Sequence, residues 1–539
     1  MASSLDDTRG ALARGRAVFV ARPVAAVFVL TFAGLLVLHA RALFDPPYWD
    51  GLIGAFPQGL WLARHDFDLV RLLTEERTCP EGGPNVYPFS IYPIAIGALY
   101  SAGLEPRQVF LLVHLAMLVC AASAAAAFFA LARTATDPRT GARATLVFAS
   151  APMFHAMASQ MNMDMPLCAC TLLSARAMQT GRFGRAAAFA AVALLVLPRG
   201  VIVVVANLVL LGAWLFGRAR DGDAPNASRR RAWNACGAHV GLLLLFGIEL
   251  VLASRWSRGP AYVSLFGGFG DLARRVLWIV PDVGWAFVGA VIVAVVVTGL
   301  AWRRKARWTE LVSASFVLVF LAFFGQYTNT LPRYFLQVHG HVLVLLLAFV
   351  ARDGRNVRVV RPWLALAAIA QAVNHFGTFY PAVSTGWRVP GYADAKLRSN
   401  DGHVLERSME YRDDLLLDAE IARRLERFDR ARTLVVAPWP ITHALAFPEL
   451  GYVDRAWRTS SPSVPITFDP NATPLRDVYD AGARPPRQRV SLEVVWVLVP
   501  SVYLPGALAL EPSIDVVEEV VERGAHRAFV VRRVGWNAR

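Results

Sequence analysis

Four charged side chains stand where apolar runs end: Asp50 in Tyr48-Trp49-Asp50-Gly51, Asp164 in Asn162-Met163-Asp164-Met165-Pro166, Arg199 in Leu197-Pro198-Arg199-Gly200, and Arg333 before Tyr334. A carboxylate beside hydrocarbon is costly unless solvated or paired, so its presence asks for a chemical reason. Asp50 is suited to accept a proton as a general base. Asp164, a second carboxylate on the same face, is suited to position an acceptor or tune that base. Guanidinium matches phosphate geometrically, which makes Arg199 and Arg333 candidate phosphate ligands. Each residue also has a plain role: the aspartates can cap helix N-termini, and the arginines can snorkel to headgroups. Around them, Asp45 before Pro46-Pro47 reads as a turn former. Tyr48 and Trp49 read as interfacial anchors. Asp45, Tyr48, Trp49, Tyr87, Tyr92 and Tyr334 are the candidate substrate contacts.

The elements that must position these groups are apolar. Of 539 residues, 55% are hydrophobic and 18% charged. Soluble domains carry roughly 25% charged residues, so the composition is that of a membrane protein. The formal charge of +15 falls in short arginine clusters between apolar runs. That is the positive-inside pattern, and it argues against nucleic acid as a partner. The five cysteines form neither a disulfide framework nor a CxxC metal pattern.

Apolar runs cover 23–43, 89–103, 109–132, 144–159, 165–178, 186–197, 201–216, 233–253, 283–302, 311–324, 334–350 and 362–380. The first follows Arg14, Arg16 and Arg22 and leads to Ala40-Arg41-Ala42, a signal-peptide-like arrangement. An arginine inside the cleavage triplet and the many later runs favour an uncleaved first span. Counting every run except 89–103 as a span places all arginine clusters on one side. The sequence therefore predicts about eleven spans, with the N-terminus inside and the C-terminus outside. Run 89–103, with Tyr92-Pro93 within it, is expected to be a short re-entrant or partly buried outer helix. Residues 51–77 are expected to form amphipathic surface helices. Asp50, Asp164, Arg199 and Arg333 are all expected on the outer face.

Residues 1–22 are then a cytoplasmic tail, 23–380 a transmembrane catalytic domain whose first outer loop is 43–106, and 381–539 an extracytoplasmic α/β domain. In that last part, helical spacing runs from Tyr411 to Phe428. Strands are expected at 433–437 and 494–498, and a hairpin turns at Arg523-Gly524-Ala525-His526. No internal repeat is visible, which weakens an inverted-repeat transporter.

These motifs resemble the GT-C superfamily of membrane glycosyltransferases, in particular the branch of bacterial aminoarabinose transferases and protein O-mannosyltransferases. The resemblance covers about residues 23–350. It makes Asp50 the counterpart of a catalytic aspartate just after the first span, and Asp164 that of an aspartate in the next outer loop. Arg199-Gly200 stands where the family often has Lys-Gly, and Arg333-Tyr334 matches an Arg-Tyr pair opening a late span. Gly51 departs from the common Asp-Glu. The resemblance implies transfer of a sugar from a polyprenyl-phosphate donor to a lipid, glycan or protein acceptor, at the outer face of the bacterial cytoplasmic membrane. It implies inversion of the sugar, with Asp50 as base, Asp164 assisting, and Arg199 and Arg333 on the donor phosphate. No cofactor is indicated, and a divalent metal remains open. Asp66 and Asp68, two apart in an expected helix, diverge. A polytopic transporter using Asn207 and Glu249, or a non-catalytic envelope scaffold, is the alternative.

Overall fold

Apolar segments build most of the described structure, and five of its helices carry proline at their first or second position. A proline in the first turn costs a helix nothing, because the first N–H groups have no intrahelical acceptor. The computed structural model describes residues 22–74, 90–218, 226–256, 285–302, 306–324, 332–353, 356–379, 411–437, 441–460, 493–498, 515–523 and 526–533. Tyr87, most of the N-terminal tail and residues 380–410 lie outside them. The helices are α1 (Pro23–Leu38), α2 (Phe56–Arg64), α3 (Leu69–Thr74), α4 (Ile91–Ser101), α5 (Pro106–Ala135), α6 (Pro138–Ala149), α7 (Pro152–Ser159), α8 (Asp164–Gln179) and α9 (Phe183–Val196). They continue as α10 (Val201–Ala213), α11 (Asn226–Trp256), α12 (Trp285–Trp302), α13 (Trp308–Phe324), α14 (Leu336–Val350), α15 (Asn356–Phe379), α16 (Tyr411–Leu425) and α17 (Ile441–Ala446).

Among the described residues, four helices are long and apolar enough to cross a membrane: Pro106–Ala135, Pro198–Gly217, Asn226–Val251 and Arg333–Val350. Five more apolar helices of 10–17 residues accompany them. One expected span is broken. Run 144–159 splits between α6 and α7, because Pro152 starts a new helix. Run 89–103 does form a short helix, the 11-residue α4, capped by the Ser90 hydroxyl, which accepts from the Tyr92 N–H. Helix α2 differs from an amphipathic surface helix, since Phe56 through Leu62 are all buried. It packs on α4 so closely that a Cβ at Gly59 would stand 2.7 Å from Ile96 Cγ2. Asp66 and Asp68 sit in a turn rather than a helix. Asp66 has φ +50°, and Asp68 accepts from the Arg71 N–H.

The large core joins α1, α2, α5, α8, α9 and α10. Helix α8 passes through its middle and is buried along almost its whole length. At its C-terminal end Arg176 donates to Thr134 of α5, and Gln179 donates to Thr309 of α13. Arg307 donates to the Arg352 carbonyl, and Arg361 pairs with Asp137. The arginine clusters of three separate loops thus meet at one end of the bundle. Sixteen residues of helix at about 1.5 Å each separate that end from Asp164.

The C-terminal part holds β1 (Thr433–Val436), β2 (Arg458–Ser460), β3 (Glu493–Leu498), β4 (Asp515–Arg523) and β5 (His526–Arg533). They form one sheet of order β2-β1-β3-β5-β4. β1 runs parallel to β2 and β3, while β5 runs antiparallel to β3 and β4. The all-buried Thr433–Val436 run is what a central parallel strand requires. Leu417, Ile421 and Leu425 of α16 cover the sheet through a core with Val435, Val495 and Val530.

Candidate active site

Helix starts and turns deliver all four charged residues to one place. Asp50 precedes a π-helical turn at Gly51–Ala55, and its side chain caps nothing there. Its Oδ2 instead accepts from Arg333 Nη2 at 2.6 Å. Asp164 opens α8, and its Oδ1 accepts from Arg199 Nη2 at 2.5 Å. Arg333 Nε lies 3.2 Å from Asp164 Oδ2. The Arg199 guanidinium stacks 3.6 Å over the Tyr334 ring. Residues 283 positions apart in the chain therefore share one ion-pair network.

Two glycines let the backbones approach. A Cβ on Gly51 would stand 3.0 Å from the Met161 carbonyl oxygen, so the Asp50 turn leans directly on the strand-like stretch before Asp164. A Cβ on Gly200 would lie 2.2 Å from the Ala193 carbonyl carbon, so only glycine lets the Pro198–Gly200 turn fold back on α9 and present Arg199. Trp49 holds φ +44°, an uncommon backbone state for a bulky residue that the surrounding packing must sustain. The Asn162 side chain accepts from the Asp164 N–H at 3.2 Å and fixes the start of α8.

The two carboxylates differ in access. The Asp50 side chain is 27% exposed, that of Asp164 only 3%. Burial raises the Asp50 pKa above its ordinary value; Arg333 and Arg199 pull it down, and Asp164 pushes it up. The net effect is a carboxylate more basic than a free aspartate yet still reachable. Asp164 is sealed between guanidinium groups. Its Oδ2 accepts no hydrogen bond, and Arg199 Nη1 is buried without a partner, among the described residues. Buried polar atoms are ordinarily satisfied, so such exceptions mark places where a ligand's atoms can complete the set.

The other expected contacts divide. Tyr334 belongs to the cluster through Arg199. Asp45 does not: it accepts from Arg412 Nε at 2.6 Å, and its carbonyl accepts from His114 Nε2. Tyr48 is buried and donates to Asp414 at 2.9 Å. Trp49 is buried beside it, with ring centroids 6.2 Å apart. Tyr92 lies buried in α4 with a hydroxyl that has no hydrogen-bond partner among the described residues. Asp45 and Tyr48 are thus anchors that tie the loop to α16, joined by Tyr452, which donates to the Pro47 carbonyl at 2.9 Å, and Tyr411, which donates to Ser159 at 2.8 Å. Sequence reasoning missed Arg412, His114 and Tyr452. No local signal marks contacts that span from 69 to 405 residues. Asn207, one of two polar residues considered for a transport path, donates to Ser174 and meets His239, a packed network between helices. Among the described residues no three His, Cys, Asp or Glu side chains group closely enough to hold a metal ion.

Fold and cluster define a polytopic helical membrane protein with a charged site at one end of its bundle. No family model and no curated protein matches the chain by sequence. Two solved structures of ArnT from Cupriavidus metallidurans are similar to it in fold. The one bound to undecaprenyl phosphate is 16% identical, covers 94% of this chain and 98% of its own, and gives a TM-score of 0.46. The apo structure is 17% identical, covers 93% and 97%, and gives a TM-score of 0.48.

Proposed function

We propose that the protein is a GT-C-type membrane glycosyltransferase. It moves a sugar from a polyprenyl-phosphate donor to a hydroxyl of a lipid, glycan or protein at the outer face of the bacterial cytoplasmic membrane. The observation that carries this reading is the pairing of a partly exposed, basic Asp50 with Arg333, whose guanidinium group together with that of Arg199 also holds Asp164.

In the step proposed, Asp50 takes the proton of the acceptor hydroxyl as its oxygen attacks the anomeric carbon. The bond from that carbon to the phosphate oxygen breaks, and the configuration inverts. A base so placed is worth roughly 10²–10⁴-fold. The donor phosphodiester carries one negative charge, and the departing phosphate monoester carries two. Arg199 and Arg333 meet that added charge as it develops, when stabilisation raises the rate most. Protonation of Asp50 removes the charge that occupies Arg333 at the same moment the phosphate gains one. Asp164 keeps both guanidinium groups in place and is a positioning residue. Tyr334 supports the Arg199 plane from below. The arginine clusters at the other end of α8 support a cytoplasmic position for that end under the positive-inside rule, and with it an outer position for Asp50.

The test compares the envelope lipids and glycans of the native strain, a strain lacking the gene, and the latter carrying Asp50→Asn, by mass spectrometry. A glycosylated species absent from both altered strains supports the reading. Identical profiles in all three would sink it.

A further inference from the structure

At the end of the bundle opposite Asp50, a cavity of about 640 Å³ opens where the α5–α6 turn meets the starts of α13 and α15. Asp137, Arg139, Arg307, Arg358 and Arg361 line it, with Val357 as an apolar wall. Four arginines face one aspartate, and that aspartate is already committed. Asp137 caps α6 by accepting from the Arg139 and Thr140 N–H groups, and it pairs with Arg361 at 3.0 Å. Arg307 spends one nitrogen on the Arg352 carbonyl. The Arg139 and Arg358 side chains are exposed and carry no hydrogen bond or ion pair among the described residues. Among the described residues, the pocket therefore holds an excess of guanidinium donors that no other group neutralises.

The apolar surface beside it indicates what brings the anion. Helix α15 starts at the pocket with Val357, Arg358 and Arg361 and runs away along the bundle. Val359, Trp363, Leu366 and Ile369 make one exposed stripe on it, at 63%, 65%, 56% and 61% exposure. Their spacing of three and four residues keeps them on one face. A free phosphate would use the arginines and ignore that stripe. A phospholipid would use both, with its phosphodiester on the guanidinium groups and its acyl chains along α15. Trp363 would stand near the headgroup boundary, where such rings favour membrane interfaces. Basic pockets between helix ends suit anionic headgroups for this reason.

We infer that this pocket is a binding site for the headgroup of an anionic phospholipid in the leaflet opposite the Asp50 cluster. Arg139 and Arg358 are the principal ligands, while Asp137 fixes Arg361 and the α6 start around them. The site is independent of the catalytic reading, because none of its residues touches the Asp50 network.

The full-length protein in detergent is titrated by native mass spectrometry with dioleoyl-phosphatidylglycerol, dioleoyl-phosphatidylcholine and, separately, inorganic phosphate. Phosphatidylglycerol should bind at least tenfold more tightly than phosphatidylcholine. Arg139→Gln/Arg358→Gln should abolish that preference, and Arg139→Lys/Arg358→Lys should retain most of it. If the glutamine variant does not fold, the lipid preference of the native protein and the lysine variant still decide. Equal binding of the two lipids, an undiminished preference in the glutamine variant, or displacement of the lipid by millimolar inorganic phosphate would each overturn the assignment. Glycosyl transfer should continue in the glutamine variant.

Discussion

Two buried ion-pair clusters sit at opposite ends of the helical bundle, and they are built differently. At the arginine-rich end, Glu310 is fully buried and completely used. Its Oε1 and Oε2 accept from Arg352 at 2.7 and 2.5 Å, and Oε2 also accepts from the Arg307 N–H. This closes the start of α13 on the end of α14 and leaves nothing over. At the Asp50 end the same residue types remain open. One carboxylate is partly exposed, an Asp164 oxygen accepts no hydrogen bond, and an Arg199 nitrogen lacks a partner among the described residues. A closed pair holds helices together. An open set stores polarity that a substrate can complete, at a cost in stability that the surrounding packing has to cover.

The contrast is tested most strongly by Arg333→Gln. It should lower the turnover number by about 10²–10³, as expected for losing a donor aimed at developing charge. The melting temperature should change less than in Glu310→Ala. A variant with native turnover would reduce Arg333 to a structural tie. Glu310→Ala should do the opposite, costing about 1.5–3 kcal/mol of stability by removing the buried carboxylate on which Arg352 and the Arg307 N–H converge. Its turnover per folded molecule should be unchanged, as measured by thermal unfolding alongside an assay corrected for the folded fraction.

Gly51→Ala should come next. Its Cβ would press on the Met161 carbonyl at 3.0 Å, shift Asp50 relative to Asp164 and lower transfer roughly tenfold, by analogy with other misplaced catalytic groups. Native kinetics in this variant would show that the contact can relax. The pH profile sharpens the picture further. Asp50 must be ionised to accept a proton, and its pKa is raised. Activity should therefore fall on the acid side through an apparent pKa above the ordinary aspartate value. Arg333→Gln removes a cation that lowers this pKa, so its acid limb should move to higher pH. The smallest effect concerns Asp137, whose pKa is lowered to about 2 as bonds from Thr140 and Arg361 outweigh burial. Its stabilisation is present above the unfolded-state value near 4 and is lost as pH falls through about 2. Arg361→Gln should lower the melting temperature at pH 6 and hardly change it at pH 2.

Much of this arrangement was legible in the chain. Asp50, Asp164, Arg199 and Arg333 announce themselves because charge at the end of an apolar run is costly. Glycine beside Asp50 and Arg199 was visible too, but its reason was not, since the close approach to Met161 and Ala193 exists only in three dimensions. The split of run 144–159 could have been read from Pro152. The role of Asp45 could not: beside Pro46-Pro47 it looks like an ordinary turn residue, and its partner Arg412 lies in a helix of the C-terminal part. Pattern and propensity act over a few turns. The clamp that α16 places on the Asp50 loop is made of tertiary contacts with no local trace.

The proposed chemistry depends on Asp50 acting as a base. Its direct measurement is transfer by purified protein from a polyprenyl-phosphate sugar to its acceptor, once mass spectrometry has identified the pair, comparing native protein with Asp50→Asn and Asp50→Glu. The asparagine variant should lose about 10²–10⁴-fold of its activity with unchanged folding, and the glutamate variant should keep part of it. Native transfer by Asp50→Asn would contradict that role.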